Sequence, residues 1–410
     1  MHGKFKEYFR FQSAFISNAI EKGHSLIVFG PRQVGKTWII EHCIKNLDRV
    51  MEIPLQHPAI RQELERDPSL LIRRVEAKAE TPLIFVDEIQ KVPELFDAIQ
   101  FLIDKKKAVF LLSGSSARKI RRKGTNLLPG RVISLRLDPL FWNEAGFSKD
   151  NIIPELAMGK PTEGRDYKFF DSLIFGSLPG IASLAEEEDR VEFLRSYAQT
   201  YIEEEIRAEA LSRKIAAFSR FLELAAIESG TAPVFSNIAM ETGVTVPTIK
   251  EFYSILEDTL IAERVDPFIK KARKRLFHGV RYYFFDIGVR NALARAPLNK
   301  DLFNVQKGLL FEHSVILEII RRIRASRKDF IVRYWRTSNG QEVDCVVDCG
   351  DHVVPIEIKS ARRVSLPDVG GLTAFLKDYS DLAPKGYVVT MADEPEKLSD
   401  KITAIPWRYL

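Results

Sequence analysis

The sequence predicts an α/β fold divided among several domains, and three observations carry that prediction. "SLIVFGPRQVGKTWII" sets a glycine-rich loop between an apolar strand and a helix, "TPLIFVDEIQ" and "KAVFLLSGSS" supply two more short apolar strands, and "EVDCVVDCGDHVVPIEIKS" reads as two strands around a Gly-Asp turn. Short, continuously apolar strands of the first kind are what a parallel sheet covered on both faces requires. At 410 residues the chain is too long for one ordinary core, because domains average about 150 residues.

Composition narrows the class. With 45% hydrophobic and 29% charged residues the chain is that of a globular protein, and no run approaches the roughly 18 apolar residues that cross a bilayer. The N-terminus mixes charge and aromatics and lacks the apolar core of a signal peptide, so a cytoplasmic location without membrane association is expected. Three cysteines, Cys43, Cys345 and Cys349, have no metal-ligand spacing and suggest no disulfide framework. The histidines His24, His42, His57, His313 and His352 likewise fall at no metal-binding spacing. The net charge of +5 is concentrated in "RKIRRK" (118–123), "KKARKR" (270–275) and "RRIRASRK" (321–328). Such clusters either meet phosphate backbones or form solvated helix ends.

The glycine-rich loop carries Gly-x-x-x-x-Gly-Lys-Thr in the strand-to-helix setting that the motif requires. Gly30 and Gly35 let the backbone bend around a phosphate, and the residues expected to cradle ATP are Gly30, Pro31, Arg32, Gln33, Val34, Gly35, Lys36 and Thr37. Lys36 is placed to reach the β- and γ-phosphates, and Thr37 to ligate Mg²⁺. The strand from Leu83 to Val86 ends in Asp87 and Glu88. Asp87 is expected to hold the Mg²⁺ through water, and Glu88 to orient or deprotonate the attacking water. The next strand ends in small hydroxyl residues, of which Ser113 or Ser115 either senses the γ-phosphate or caps a helix.

"GPRQVGKT", "IFVDEIQKVP", "LLSGSS", "LPGRVISLRLDPLFWNEAGF" and "FGSLPG" together resemble the AAA-type ATPases of archaea and bacteria that carry a further C-terminal domain, a group related to signalling ATPases. The resemblance runs over nearly the whole chain and implies an AAA-type P-loop domain with a parallel sheet, followed by a helical lid. Trp38, where these ATPases usually have Thr or Ser, departs from the pattern but follows the metal ligand. The resemblance also implies an arginine that completes a neighbouring subunit's site, with Arg131 in "PGR" as first candidate and Arg118 as second; either can instead be a plain surface arginine. An arginine acting across subunits implies a homo-oligomer.

Pro154, Gly159, Pro161 and Gly164 mark a linker, after which helical stretches fit the lid. "FSNIAMETGVTVPTIKEFYSILED" has helix-turn-helix spacing around Gly243, with an extended segment after it suited to a wing. Thr245, Thr248 and Lys250 would open a recognition helix that touches DNA, although such units also serve as lids or interaction modules.

Toward the C-terminus, "GLLFEHSVILEIIRRIRA" is an amphipathic helix that starts near Glu312, and three strands follow it. Alternation with period two puts Glu357 and Lys359 on one strand face. Glu312, Asp344 and Glu357-x-Lys359 are similar in order to the restriction-endonuclease-like nucleases. Carboxylates at adjacent strand ends suit Mg²⁺ or Mn²⁺, so Glu312, Asp344 and Glu357 are the expected metal ligands, and Lys359 the group that orients water. The plainer reading is a Glu-Lys pair on an exposed strand beside an incidental aspartate. Tyr334, Trp335 and Arg336 either contact nucleic acid or pack into the core.

The expected organisation is therefore 1–160 ATPase domain, 161–220 helical lid, 221–290 winged-helix-like domain and 291–410 nuclease-like α/β domain. The expected function is an Mg²⁺-dependent ATPase that couples hydrolysis to DNA binding or metal-dependent cleavage. The alternative is a switch ATPase that binds a protein partner and carries an inactive nuclease-like domain; a defence component that responds to foreign nucleic acid is a third.

Overall fold

The computed structural model describes residues 8–48, 50–115, 128–159, 167–208, 215–269 and 279–410. Two of the basic clusters, 118–123 and 270–275, and the candidate Arg118 lie outside the described residues. The described chain forms two compact units: Phe9–Pro139 with Asp258–Ile261, and Leu140–Glu257 with Ala262–Leu410 and Tyr8.

The first unit is built on five parallel strands in the order β2 (Val50–Pro54), β3 (Leu83–Asp87), β4 (Val109–Gly114), β1 (Ser25–Phe29) and β5 (Val132–Arg136). β1 lies between β4 and β5, so both its edges are paired, and all five of its residues are buried, as a strand covered on both faces requires. That is why its sequence shows no polar alternation. The helix Leu95–Asp104 turns Leu95, Phe96, Ile99 and Leu102 inward at 3.6-residue spacing, against Ile84, Val86, Phe110 and Leu112 of the sheet. Full burial of each such side chain is worth about 1.5–3 kcal/mol.

The second unit holds an eight-stranded mixed sheet in the order β12 (Glu396–Lys397), β13 (Ile402–Pro406), β11 (Gly386–Thr390), β10 (Val353–Lys359), β9 (Glu342–Asp348), β8 (Ile331–Arg336), β6 (Ala262–Pro267) and β7 (Arg281–Phe284). The helix Lys300–Ala325 comes first, then the antiparallel strands β8, β9 and β10, the helix Gly370–Asp378, and β11 parallel to β10. β6 and β7 form an antiparallel hairpin, and β6 also pairs in parallel with β8. The strands that follow the two helices Phe235–Thr242 and Val246–Asp258 are therefore part of the C-terminal sheet, although the sequence suggested a break near residue 290. The first unit closes at Pro139, against an expected domain end near residue 160.

Two buried polar knots organise this unit. Asp286 accepts hydrogen bonds from the amides of Ser177 (2.7 Å), Gly288 (3.0 Å) and Val289 (3.2 Å), and the Arg321 guanidinium stands 4.0 Å away. A side chain at Gly176, where φ is +81°, would put its Cβ 1.9 Å from the Asp286 carboxylate, and one at Gly288 would meet the Phe175 carbonyl at 2.1 Å. The glycines of "FGSLPG" and "FFDIG" are thus fixed by this close approach. In the second knot Glu318 accepts from Arg322 (2.6 Å) and from the Trp142 amide (3.0 Å), and both ion-pair side chains are 0% exposed. Arg322 also donates to Asn143, Ser148 and Asn151 and to the carbonyls of Leu156 and Leu410.

The second knot corrects the reading of residues 321–328 as a basic surface cluster. Arg321 and Arg322 are buried, Arg324 pairs with Glu263 at 3.0 Å, and the Lys328 amine donates to the Glu155 carbonyl. The helix carries these arginines on its inward face, one turn after Glu318. Trp335 and Tyr334 are buried too. Trp335 packs edge-on against Phe375, so the core reading of that aromatic strand holds.

Candidate functional sites

In the first unit β1 runs directly into the loop 30–35, at the carboxyl end of the sheet where doubly wound folds bind ligands. Gln33 and Gly35 have φ of 63° and 91°, and a Cβ on Gly30 would lie 2.3 Å from the Leu137 carbonyl. The loop is curled by these constraints before the helix Lys36–Ile44 begins. Lys36 is buried, and its amine donates to the carbonyls of Gly30 (3.0 Å) and Pro31 (2.8 Å). Burial lowers its pKa to about 8, against the opposing pull of Glu88 and Asp87. An arriving triphosphate supplies the negative charge that this ammonium lacks.

Thr37 and Asp87 meet, with the Thr37 hydroxyl donating to Asp87 at 3.0 Å. Asp87 also accepts from Ser113 and from the Gln56 amide (3.1 Å). Hydroxyl and carboxylate oxygens are the donors that Mg²⁺ prefers, so the pair fits that ion. Glu88 follows at φ 58°, a left-handed conformation unusual for a non-glycine residue and often found at functional sites. Its amide donates to Ser113 (2.9 Å), and its carboxylate accepts from Gln90, which also donates to Ser115 (3.0 Å). Of the two serines, Ser113 touches the acidic pair directly and Ser115 acts through Gln90.

Three members of this site were not singled out from the sequence. Gln56 and Gln90 need the strand order to be placed, although Gln90 stands only two residues beyond Glu88. Arg10 is buried behind the loop, donating to the carbonyls of Val34 (2.7 Å) and Asp138 (2.6 Å). Arg131 is not part of this constellation. It precedes β5, at the opposite rim of the parallel sheet, and grips Asp104 through two hydrogen bonds of 2.6 and 3.0 Å.

In the second unit the four expected C-terminal residues lie within electrostatic reach of one another. Glu312 projects from the helix Lys300–Ala325, Asp344 from β9, and Glu357 and Lys359 from one face of β10. The β9–β10 ladder ends at the pair Ile356 and Cys345, and beyond it the Asp344 carboxylate takes the Ile358 amide at 2.7 Å. Lys359 donates to Glu357 at 2.8 Å, while the second Glu357 oxygen is buried without a hydrogen-bond partner. β7 adds Arg281 and Tyr283, spaced to share a face. Tyr283 donates to Glu312 (3.3 Å), and Arg281 lies 3.8 Å from Glu312 and pairs with Glu342.

The expected three-carboxylate metal set is corrected at this point. Among the described residues no three Asp, Glu, His or Cys side chains stand close enough to hold a metal ion together. Glu312 is drawn instead to Tyr283 and Arg281, which leaves Asp344 and Glu357 on neighbouring strands as the hard-oxygen pair. The orphaned Glu357 oxygen is the feature that fits a cation.

Crowding of acids in a buried pocket disfavours their charge. Burial first, and then Asp344, pushes Glu312 up to about 8 and Glu357 up to about 7; burial raises Asp344 as well. A carboxyl with a raised folded value keeps a proton that the unfolded chain has released. Its contribution is intact below about 4.3, the unfolded value, and is lost as pH climbs through about 7 and 8. Metal-free protein should therefore melt at a lower temperature at pH 9 than at pH 6. Asp344→Asn, which removes the shared neighbour, should make that fall shallower; parallel melting curves for both proteins would contradict the coupling.

Comparison with known proteins agrees with the first site. Residues 22–146 match the model of an AAA domain, and residues 166–300 and 307–410 match two domains of unknown function. Uncharacterized proteins of Mycobacterium tuberculosis and Mycobacterium bovis are each 23% identical over 401 residues, covering 96% of this chain and 82% of theirs. Among solved structures, a Walker-type ATPase of Pyrococcus abyssi aligns at 13% identity and a TM-score of 0.47, over 69% of this chain and 94% of that one. The Aeropyrum pernix ORC1 protein, solved in complex with DNA, aligns at 13% identity and a TM-score of 0.34, over 72% and 94%. Among the described residues no helix is long and apolar enough to cross a membrane. With its parallel sheet, its curled phosphate loop and the Thr37–Asp87 contact, the N-terminal unit has the fold of an AAA-type, nucleotide-binding P-loop ATPase.

Proposed function

We propose that the chain is an Mg²⁺-dependent ATPase that couples ATP hydrolysis to DNA binding or metal-dependent DNA cleavage by its C-terminal segment. The observation that carries the second half is the clustering of Glu312, Asp344, Glu357 and Lys359 within electrostatic reach of one another. They come from a helix and two paired strands, and the chain that brings them together also bears a phosphate loop. The order of helix, three antiparallel strands, helix and parallel strand supports a restriction-endonuclease-like fold. Thr245 and Lys250 are exposed at the start of the second helix of the pair, followed by the β6–β7 hairpin, which supports a winged-helix reading.

In the ATPase site Lys36 binds the β- and γ-phosphates, Thr37 and Asp87 would hold Mg²⁺, and Glu88, steered by Gln90, orients the attacking water. Arg131 would reach the nucleotide of a neighbouring subunit. In the C-terminal pocket Asp344 and Glu357 would hold Mg²⁺ or Mn²⁺, which supplies charge neutralisation at a scissile phosphate and acidifies a bound water. Lys359, fixed by Glu357, would orient a water beside the scissile phosphate. The three cysteines are free, which suits a reducing cytoplasm.

The test is ATP turnover by the full chain with single-stranded, double-stranded and branched DNA, in Mg²⁺ and in Mn²⁺, with the DNA analysed for breaks. Nicking that disappears in Asp344→Asn and Lys359→Ala while ATP turnover persists is expected. Binding that weakens steeply with salt is expected as well. A protein that neither nicks nor binds DNA under any nucleotide or metal condition would leave the switch ATPase with a protein partner. That second reading draws on the capture of Glu312 by Tyr283 and Arg281.

A further inference from the structure

Arg10 stands just before the helix Gln12–Glu21 and is 2% exposed. Its guanidinium donates to two backbone carbonyls distant in the chain: Val34, late in the phosphate loop, at 2.7 Å, and Asp138, just past β5, at 2.6 Å. It also flanks the loop itself, since a Cβ on Gly35 would lie 3.6 Å from its Nη1. Arg10 is the second residue of the segment Phe9–Pro139 and Asp138 the last but one. One buried cation thus ties both ends of that segment to the loop.

A peptide group is planar and trans, so a carbonyl and the N–H of the next residue point in opposite directions. Arg10 holds the Val34 carbonyl on its own side of the loop, which turns the Gly35 N–H to the opposite side. Among the described residues no acceptor takes that N–H. Backbone N–H groups of such loops converge on the α- and β-phosphates of a bound nucleotide.

We infer that Arg10 is a positioning residue for the nucleotide: by holding the Val34 carbonyl, it aims the Gly35 N–H at a phosphate. Arg10 acts through the backbone and touches no ligand. A guanidinium suits the task because its donors form a rigid fork that holds two carbonyls at once, whereas an ammonium on a flexible stem fixes neither as firmly. A bond of this kind is made to bound nucleotide and to the transition state alike, so its loss raises KM more than it lowers kcat. The inference rests on the reading of residues 30–37 as the loop that binds ATP.

The experiment is steady-state ATP turnover and calorimetric ADP binding by the full-length protein, with circular dichroism to check folding. Arg10→Met should raise KM for ATP and Kd for ADP about tenfold, the scale of one hydrogen bond to a charged group, and lower kcat less than about threefold. Arg10→Lys, which keeps the buried charge, should recover part of the affinity. A residue that only stabilised the unit would instead lower the folded fraction, and with it kcat, at unchanged KM and Kd; that result in Arg10→Met would overturn the inference. If Arg10→Met does not fold, Arg10→Lys decides, and a wild-type KM and Kd there would overturn it. Lys36→Ala in the same assays separates the two levels. A wild type that binds no ADP, or a Lys36→Ala that binds ADP and turns over ATP as the wild type does, would overturn the reading of the loop, and this inference with it.

Discussion

Lys36→Ala should reduce ATP turnover by about 10²-fold or more, the scale on which a positioned donor to developing phosphate charge acts. The expectation follows from the buried position of the amine. It already donates to Gly30 and Pro31, the carbonyls of the curled loop, and has only to exchange these for phosphate oxygens. Phosphate release at saturating ATP is the measurement. Glu88→Gln serves as the companion variant: on the proposed role of Glu88 in orienting water, it should keep nucleotide affinity and lose turnover. Turnover that survives in Lys36→Ala would mean that the loop does not hold the reacting nucleotide.

Arg322→Met should destabilise the second unit by about 3–5 kcal/mol, the cost of leaving one partner of a buried ion pair without the other. Glu318 would keep only the Trp142 amide, and Asn143, Ser148 and the chain-end carbonyl of Leu410 would lose their donor. Because the chain has two compact units, calorimetry that resolves separate transitions is the suitable readout. The double variant Glu318→Gln/Arg322→Met should cost less than Arg322→Met alone, since it removes the stranded charge. A single-variant cost below about 1 kcal/mol, in the range of a surface ion pair, would refute the account.

The parts of the molecule that could be read from sequence are those whose chemistry is local. Residues 30–37 announce the phosphate loop because the glycines, the lysine and the threonine act within a single turn. Leu83 to Asp87 could be read for the same reason, as an apolar run ending in acid at a strand tip. Arg10 could not be found this way: its partners Val34 and Asp138 are brought to it by the folding of the whole sheet. The parallel pairing of β6 with β8 leaves no local trace either, because strands joined by long crossovers share no turn. Residues 321–328 misled through composition alone. The Glu318 and Arg322 spacing of one helical turn, on a helix otherwise apolar on that face, was the available signal that these cations look inward.

The C-terminal half contains two matched segments, 166–300 and 307–410, and the boundary between them falls at the helix Lys300–Ala325. The sheet ignores that boundary, since β6 and β7 precede it and β8 follows it. A fragment severed there would present β8 as a bare edge, with its amides and carbonyls open to any passing strand. It would also lose the guanidinium of Arg281 from a pocket whose acids all lie on the other piece. The two segments are thus expected to fold only together, so that neither should stay soluble when expressed or grafted without the other.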